Sequence, residues 1–113
     1  MYNDTKWSPS EKKIARKAYD TARAAVLAKA LNEFKAKASA VATIDDMWAI
    51  GDYLHEKGRD LDQMLDYRYS QLPLVFARLI REEYLDEASL AGLTEDKLDD
   101  IRRILRAFAK DRV

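Results

Sequence analysis

The sequence predicts an all-α fold, and three observations carry that prediction. Helix breakers are scarce: 3 glycines and 2 prolines stand against 17 alanines and 35% charged side chains in 113 residues, a composition of long helices. Two helix-start signatures, Trp7-Ser8-Pro9-Ser10-Glu11 and Thr43-Ile44-Asp45-Asp46, each precede a long run with apolar residues every three or four positions. No segment alternates apolar and polar residues as a strand would.

The first helix begins at Ser8. A serine cap, proline at the first helical position and glutamate three after the cap make a capping box. From there to about Ala40 no glycine or proline intervenes, and ten alanines lie between Ala15 and Ala40, so intrinsic helix propensity is high. Ile14, Ala18, Ala22 and Ala25, then Leu27, Leu31, Phe34 and Ala38, form a drifting apolar stripe. A helix of about 30 residues is roughly 45 Å long. A compact chain of this length has a radius of gyration near 13 Å. The helix therefore overhangs its own domain, and a second copy of the chain is the simplest cover for its stripe.

The second helix starts at the cap Thr43, with Asp45 and Asp46 suited to the positive end of the helix dipole. Ile44, Met47, Gly51, Leu54, Gly58, Leu61 and Leu65 recur at heptad spacing with both glycines in the seam. A mid-helix glycine costs about 1 kcal/mol relative to alanine, so two of them seven apart point to close helix–helix approach. The alternative is that Gly58 ends one helix and starts another. Trp48 and Asp52, four apart, share a face beside this seam. They read either as an interface anchor or as a core tryptophan with a solvated aspartate beside it.

Tyr67 to Ile80 is the most apolar stretch. Its Pro73 either kinks a continuing helix or opens a new one capped by Ser70. Asp86 to Leu90 suits a short helix stopped by Gly92. Thr94 then caps a last helix with the stripe Leu98, Ile101, Ile104, Leu105 and Phe108.

Composition also excludes functions. Without cysteine there is no disulfide framework, thiol nucleophile or thiolate metal site. No run is long and apolar enough to span a bilayer, and residues 1–4 lack an apolar signal core, so the expected location is cytoplasmic. Residues 1–40 hold nine Lys/Arg against four Asp/Glu, and the remainder carries the compensating −5. A basic segment neutralised within its own chain suits pairing within or between subunits better than a nucleic-acid surface.

Catalytic and metal-binding patterns are missing. His55 has Asp52 one turn before it and Arg59 one turn after. That pair lacks a third metal ligand, and the guanidinium would repel a cation. There is no glycine-rich phosphate loop and no serine with a base partner other than His55. Asp45/Asp46 and Asp99/Asp100 sit in helix first turns, where the dipole alone explains them. Tyr67-Arg68-Tyr69 interleaves rings with a cation as nucleic-acid binders do, but three residues at a helix junction are weak evidence and packing of the two tyrosines explains them better. The expected protein is not an enzyme and needs no cofactor or metal.

Several segments together resemble a known family: Ile44-Asp45-Asp46-Met47-Trp48, Asp52-Tyr53-Leu54, Asp66 with Arg68, Val75-Phe76-Ala77, Leu90, and Asp96-Lys97 with Ile101, along with Trp7-Ser8 and Lys17-Ala18-Tyr19. They are similar, nearly end to end, to the fluorescence recovery proteins of cyanobacteria. The resemblance implies one all-helical domain over residues 1–113 that forms a homodimer. About residues 1–65 would make an elongated dimerising stalk and about 66–113 a small helical head. It also implies a non-enzymatic role: binding the photoactivated orange carotenoid protein, hastening its return to the resting form and so ending non-photochemical quenching at the phycobilisome. On this basis Ile44, Met47, Trp48, Gly51, Asp52, Leu54, Gly58 and Arg59 are expected at the dimer interface. Leu74, Phe76, Arg78, Arg102 and Arg103 are expected to bind the partner from the head.

The chain also departs from the family pattern. Gly51 stands where the family has histidine, and Gly58 where it has arginine, with Arg59 one place on. Leu74 replaces an aromatic residue, and Asp100 a basic one, although Arg102 and Arg103 lie nearby. Two other readings follow. One is a family-fold adaptor with a different protein partner. The other is a nucleic-acid-associated helical protein, against which the zero net charge argues.

Overall fold

The computed structural model describes residues 6–111. Four α-helices follow in order: α1 (Pro9–Ser39), α2 (Ile44–Met64), α3 (Leu72–Arg81) and α4 (Glu95–Asp111), with a short 3-10 helix at Glu87–Leu90 between the last two. Among the described residues strand-like pairing is limited to an isolated bridge between Ala91 and Leu93.

Both N-terminal signatures act as their chemistry requires. Ser8 Oγ accepts the Glu11 N–H at 3.1 Å while Glu11 accepts the Ser8 N–H at 3.0 Å. Thr43 and Asp46 repeat the same reciprocal pair at the start of α2. The alternative in which Gly58 breaks the helix is not the one adopted, because α2 runs unbroken through both glycines. Pro73 opens a new helix rather than kinking an old one, but the cap is Gln71, not Ser70, and it makes no side-chain cap bond. Gly92 has φ +104°, as a left-handed stop requires.

The molecule measures 53 × 33 × 24 Å with a radius of gyration of 16.8 Å, longer than a compact chain of this size. The overhang expected from the length of α1 is the cause. One core lies at one end: Ala15, Ala18, Tyr19, Ala22 and Val26 of α1 pack with Leu72, Val75, Phe76 and Leu79 of α3 and Leu98 and Ile101 of α4. Two sequence expectations need correction here. A division near residue 65 misplaces the N-terminal half of α1, which is part of the head core. The buried face of α1 also runs through Ala15, Tyr19 and Val26, leaving Ala25 exposed. The small alanines on this face lie in the shared core together with the larger Tyr19 and Val26.

Beyond Val26, α1 runs antiparallel to α2, with one further contact to the head where the Lys29 ammonium lies 5.8 Å from the Tyr84 ring centre. Lys57 meets Glu33 at 3.8 Å, and the Lys37 ammonium lies 4.9 Å from the Tyr53 ring centre. At the other end of α2, the Tyr19 hydroxyl donates to the Leu65 carbonyl at 2.8 Å. These contacts fix the hairpin as an arm projecting from the head.

Candidate functional site

The arm presents the first candidate surface. In 21 residues α2 has no buried side chain. Ile44 (63% exposed), Met47 (54%), Trp48 (68%) and Leu54 (47%) stand in solvent, joined by Leu31 (53%) from α1. Large apolar side chains clustered on one helix mark an interaction surface rather than a finished exterior. Of the alternatives for Trp48, the core tryptophan is excluded by its exposure. Asp52 is exposed one turn further on, and His55 and Arg59 continue the same solvent-facing side.

Gly51 and Gly58 are exposed as well, and a Cβ at either would meet nothing within 4 Å. Close approach at these glycines therefore does not occur within one chain. Beside them, Leu31 and Phe34 of α1 face Leu54, Gly58 and Leu61 of α2 across an apolar groove of about 370 Å³. Leu61 is half-buried and joins the edge of the head core. At the tip of the arm, the Ala42 N–H donates to Asp46 at 3.0 Å, and with Thr43 it holds that carboxyl below the usual carboxylate range. Asp46 is thus committed to capping, whereas Asp45 and Asp52 point their charge outward.

The head divides the residues expected to bind a partner. Leu74 and Arg78 are one turn apart on α3 and half-buried, so each offers part of its side chain. Phe76 is 0% exposed. Its assignment to a docking surface is therefore corrected: it is a core residue that shapes the head from within. Arg102 is held by three carboxylates, Glu87 at 2.7 Å, Asp99 at 3.4 Å and Glu95 at 3.7 Å. It clamps α4 to the 3-10 helix instead of standing free. Arg103, next to it and so rotated about 100° around α4, is exposed and pairs with Asp100 at 2.9 Å.

Sequence reasoning missed a buried polar centre between α1 and α4. Glu11 accepts the Ser8 N–H, the Thr94 N–H at 3.1 Å and the Lys97 ammonium at 3.1 and 3.2 Å. Burial pushes its carboxyl up, but the two backbone donors and Lys97 outweigh that and bring it to about 2. Lys97 also donates to the Lys6 carbonyl at 2.8 Å and lies 5.0 Å from the Trp7 ring centre. The available signal was the capping box, whose glutamate has acceptor capacity beyond the cap. Tyr67-Arg68-Tyr69 proves to be packing. Tyr67 stands edge-on to Tyr19 at 4.6 Å, Tyr69 packs on Trp7 at 5.4 Å, and Arg68 pairs with Asp66.

Among the described residues no group of three or more His, Asp or Glu is placed to hold a metal ion, and no helix is long and apolar enough to cross a membrane.

Residues 7–105 match the family model of the photoprotection regulator fluorescence recovery protein. The fluorescence recovery protein of Synechocystis sp. is 32% identical over 100 residues, covering 88% of this chain and 92% of that protein. The solved structure of the Fremyella diplosiphon fluorescence recovery protein superposes with a TM-score of 0.81 at 31% identity, covering 88% of this chain and 98% of that one. The Synechocystis structure gives 0.80 at 32% identity with the same coverage.

Proposed function

Because this chain belongs to the fluorescence recovery protein family of photoprotection regulators, we propose that it is a non-enzymatic homodimer that binds a photoactivated orange carotenoid protein and speeds its return to the resting form. The observation that carries the dimer is α2, a 21-residue helix with no buried side chain and with Ile44, Met47, Trp48 and Leu54 in solvent. In proteins most of a helix's stability comes from packing its apolar face against another element. A second copy would cover that face, with Gly51 and Gly58 admitting a partner helix closely. Asp52 and Arg59 would lie toward the polar rim.

The head would meet the client through Leu74, Arg78 and Arg103, with Arg102 and Phe76 holding the surface in shape. A binder that prefers the photoactivated state shifts populations only by its differential affinity. Faster relaxation needs more. By gathering the separated parts of the client, the dimer would raise the probability of their re-docking, so quenching at the phycobilisome would end without any covalent step.

Size-exclusion light scattering and absorbance recovery in the dark after blue light, with and without the protein, test the two halves separately. A dimer that accelerates recovery of the orange form supports the proposal. A dimer that leaves recovery unchanged with clients of several lineages favours a different protein client. That second reading is supported by Gly51, Gly58, Leu74 and Asp100 at positions where the family pattern differs. A monomer at micromolar concentration would overturn the dimer.

A further inference from the structure

The first three turns of α1 carry four cations, Lys12, Lys13, Arg16 and Lys17, on the side away from the buried Ala15, Ala18 and Ala22. Two of them rest on rings from the turn after α2. The Arg16 guanidinium lies 4.0 Å from the Tyr67 ring centre, and the Lys12 ammonium 5.2 Å from that of Tyr69. A guanidinium over a ring keeps the N–H donors of its edge free, so stacking orients Arg16 without consuming its hydrogen-bonding capacity. Lys12, Lys13, Arg16 and Lys17, with Asp20 and Thr21, line a shallow, open stretch of the α1 surface.

The local countercharge has been withdrawn. Glu11, the only carboxylate between residues 6 and 19, is turned inward onto Lys97 with its side chain 6% exposed. Asp20 offsets Arg16 at 3.4 Å, while Lys12, Lys13 and Lys17 form no ion pair with any described residue. A strip with about three net positive charges, two of its four cations resting on aromatic rings, remains on a chain of zero net charge.

We propose that this strip, Lys12 and Arg16 resting on Tyr69 and Tyr67 with Lys13 and Lys17 beside them, is a docking surface for an acidic segment of a partner protein bearing two or three clustered carboxylates. Charge complementarity selects that partner. Six helical residues span about 9 Å, which matches a few carboxylates on a short peptide. The same length offers too few phosphate contacts for duplex binding at physiological salt, and the net −5 of residues 41–113 repels an extended polyanion.

The test uses the full chain and fluorescence anisotropy with three probes: a labelled Glu/Gly peptide, its Gln/Gly counterpart, and an oligothymidylate of the same charge as the first. Saturable, salt-sensitive binding of the Glu/Gly peptide alone is expected. K13E/K17E should weaken it about tenfold, while R23E/K35E, an equal charge change elsewhere on α1, should leave it within about twofold. Equal loss in both variants, tighter binding of the oligonucleotide, or no saturable peptide binding overturns the proposal. So does loss of the dimer in K13E/K17E with no peptide bound by the wild type, which would assign the strip to a second copy.

Discussion

Lys97 Nζ lies 3.1 Å from Glu11 Oε2, across 86 positions of sequence, with both side chains 6% exposed. This contact joins the first turns of α1 and α4. It has two neighbours that matter: the Thr94 N–H, which ends on the same carboxylate, and the Lys6 carbonyl, which takes another ammonium proton. The capping box at Ser8 therefore does more than start a helix. It presents a buried carboxylate around which the head closes.

Removing one partner should be costly. Lys97→Met leaves Glu11 charged and buried with only backbone donors, and the expected loss of stability is about 3–5 kcal/mol. Urea unfolding of the variant at neutral pH measures it. A loss under about 1 kcal/mol would mean that the pair stands in effectively solvated surroundings.

The same site sets an acid dependence. The folded Glu11 carboxyl, at about 2, lies below its ordinary value of 4.5. Its contribution is therefore present above pH 4.5 and is lost as pH falls toward 2. The loss is on the order of 3 kcal/mol. Unfolding free energy should decline through that window in the wild type. In Glu11→Gln this part of the decline should be missing, from a lower starting stability at neutral pH.

Glu83 offers a gain. It has φ +66° just after α3, where its N–H bonds the Ile80 carbonyl at 3.0 Å and the Tyr84 N–H bonds the Leu79 carbonyl at 2.9 Å. This is a Schellman stop with a side chain in the left-handed position that glycine occupies most readily. Glu83→Gly should stabilise the head by about 1 kcal/mol. A raised melting temperature checks it, and an unchanged or lower one would mean that the glutamate side chain compensates for its backbone.

At the arm, Met47→Glu should break the proposed dimer while most helicity survives, since Met47 packs against nothing buried in its own chain. An unpartnered carboxylate in a desolvated seam costs several kcal/mol, roughly 2–7. Gly51→Ala discriminates further. Nothing within one chain opposes the added methyl, so helix propensity alone predicts a gain of about 1 kcal/mol. Light scattering that shows weaker dimers despite that gain would place Gly51 at a close contact between copies. Unchanged dimers in both variants would move the interface off α2.

In the head, Phe76→Ala should now cost about 3–5 kcal/mol by opening a cavity in the core. Leu74→Ala and Arg78→Ala, both half-buried, should leave the fold intact and slow client recovery. Melting curves and dark recovery together separate the two effects. A Phe76→Ala protein with wild-type stability would contradict its complete burial.

What the sequence determined by itself was local. Capping chemistry at Ser8 and Thr43, the breaker-free alanine run and the left-handed stop at Gly92 act within a few residues of backbone, so they could be read directly. The overhang was legible too, because helix rise is constant and α1 is longer than a compact domain. The exposed seam on α2 was legible as a pattern, since Ile44, Met47, Trp48 and Leu54 recur at helical spacing whatever covers them. Tertiary structure alone decided which stripe was finished inside the chain. Ala18 and Met47 look alike in a periodicity count, yet the first is buried in the core while the second stands in solvent. Phe76 and Leu74 lie two positions apart, and only the packing of α4 onto α3 sends one inward and leaves the other at the surface. Glu11 and Lys97 show the same limit: a contact across 86 residues depends on how helices dock, and helix docking is a sum of many small packing terms that no short stretch of sequence contains.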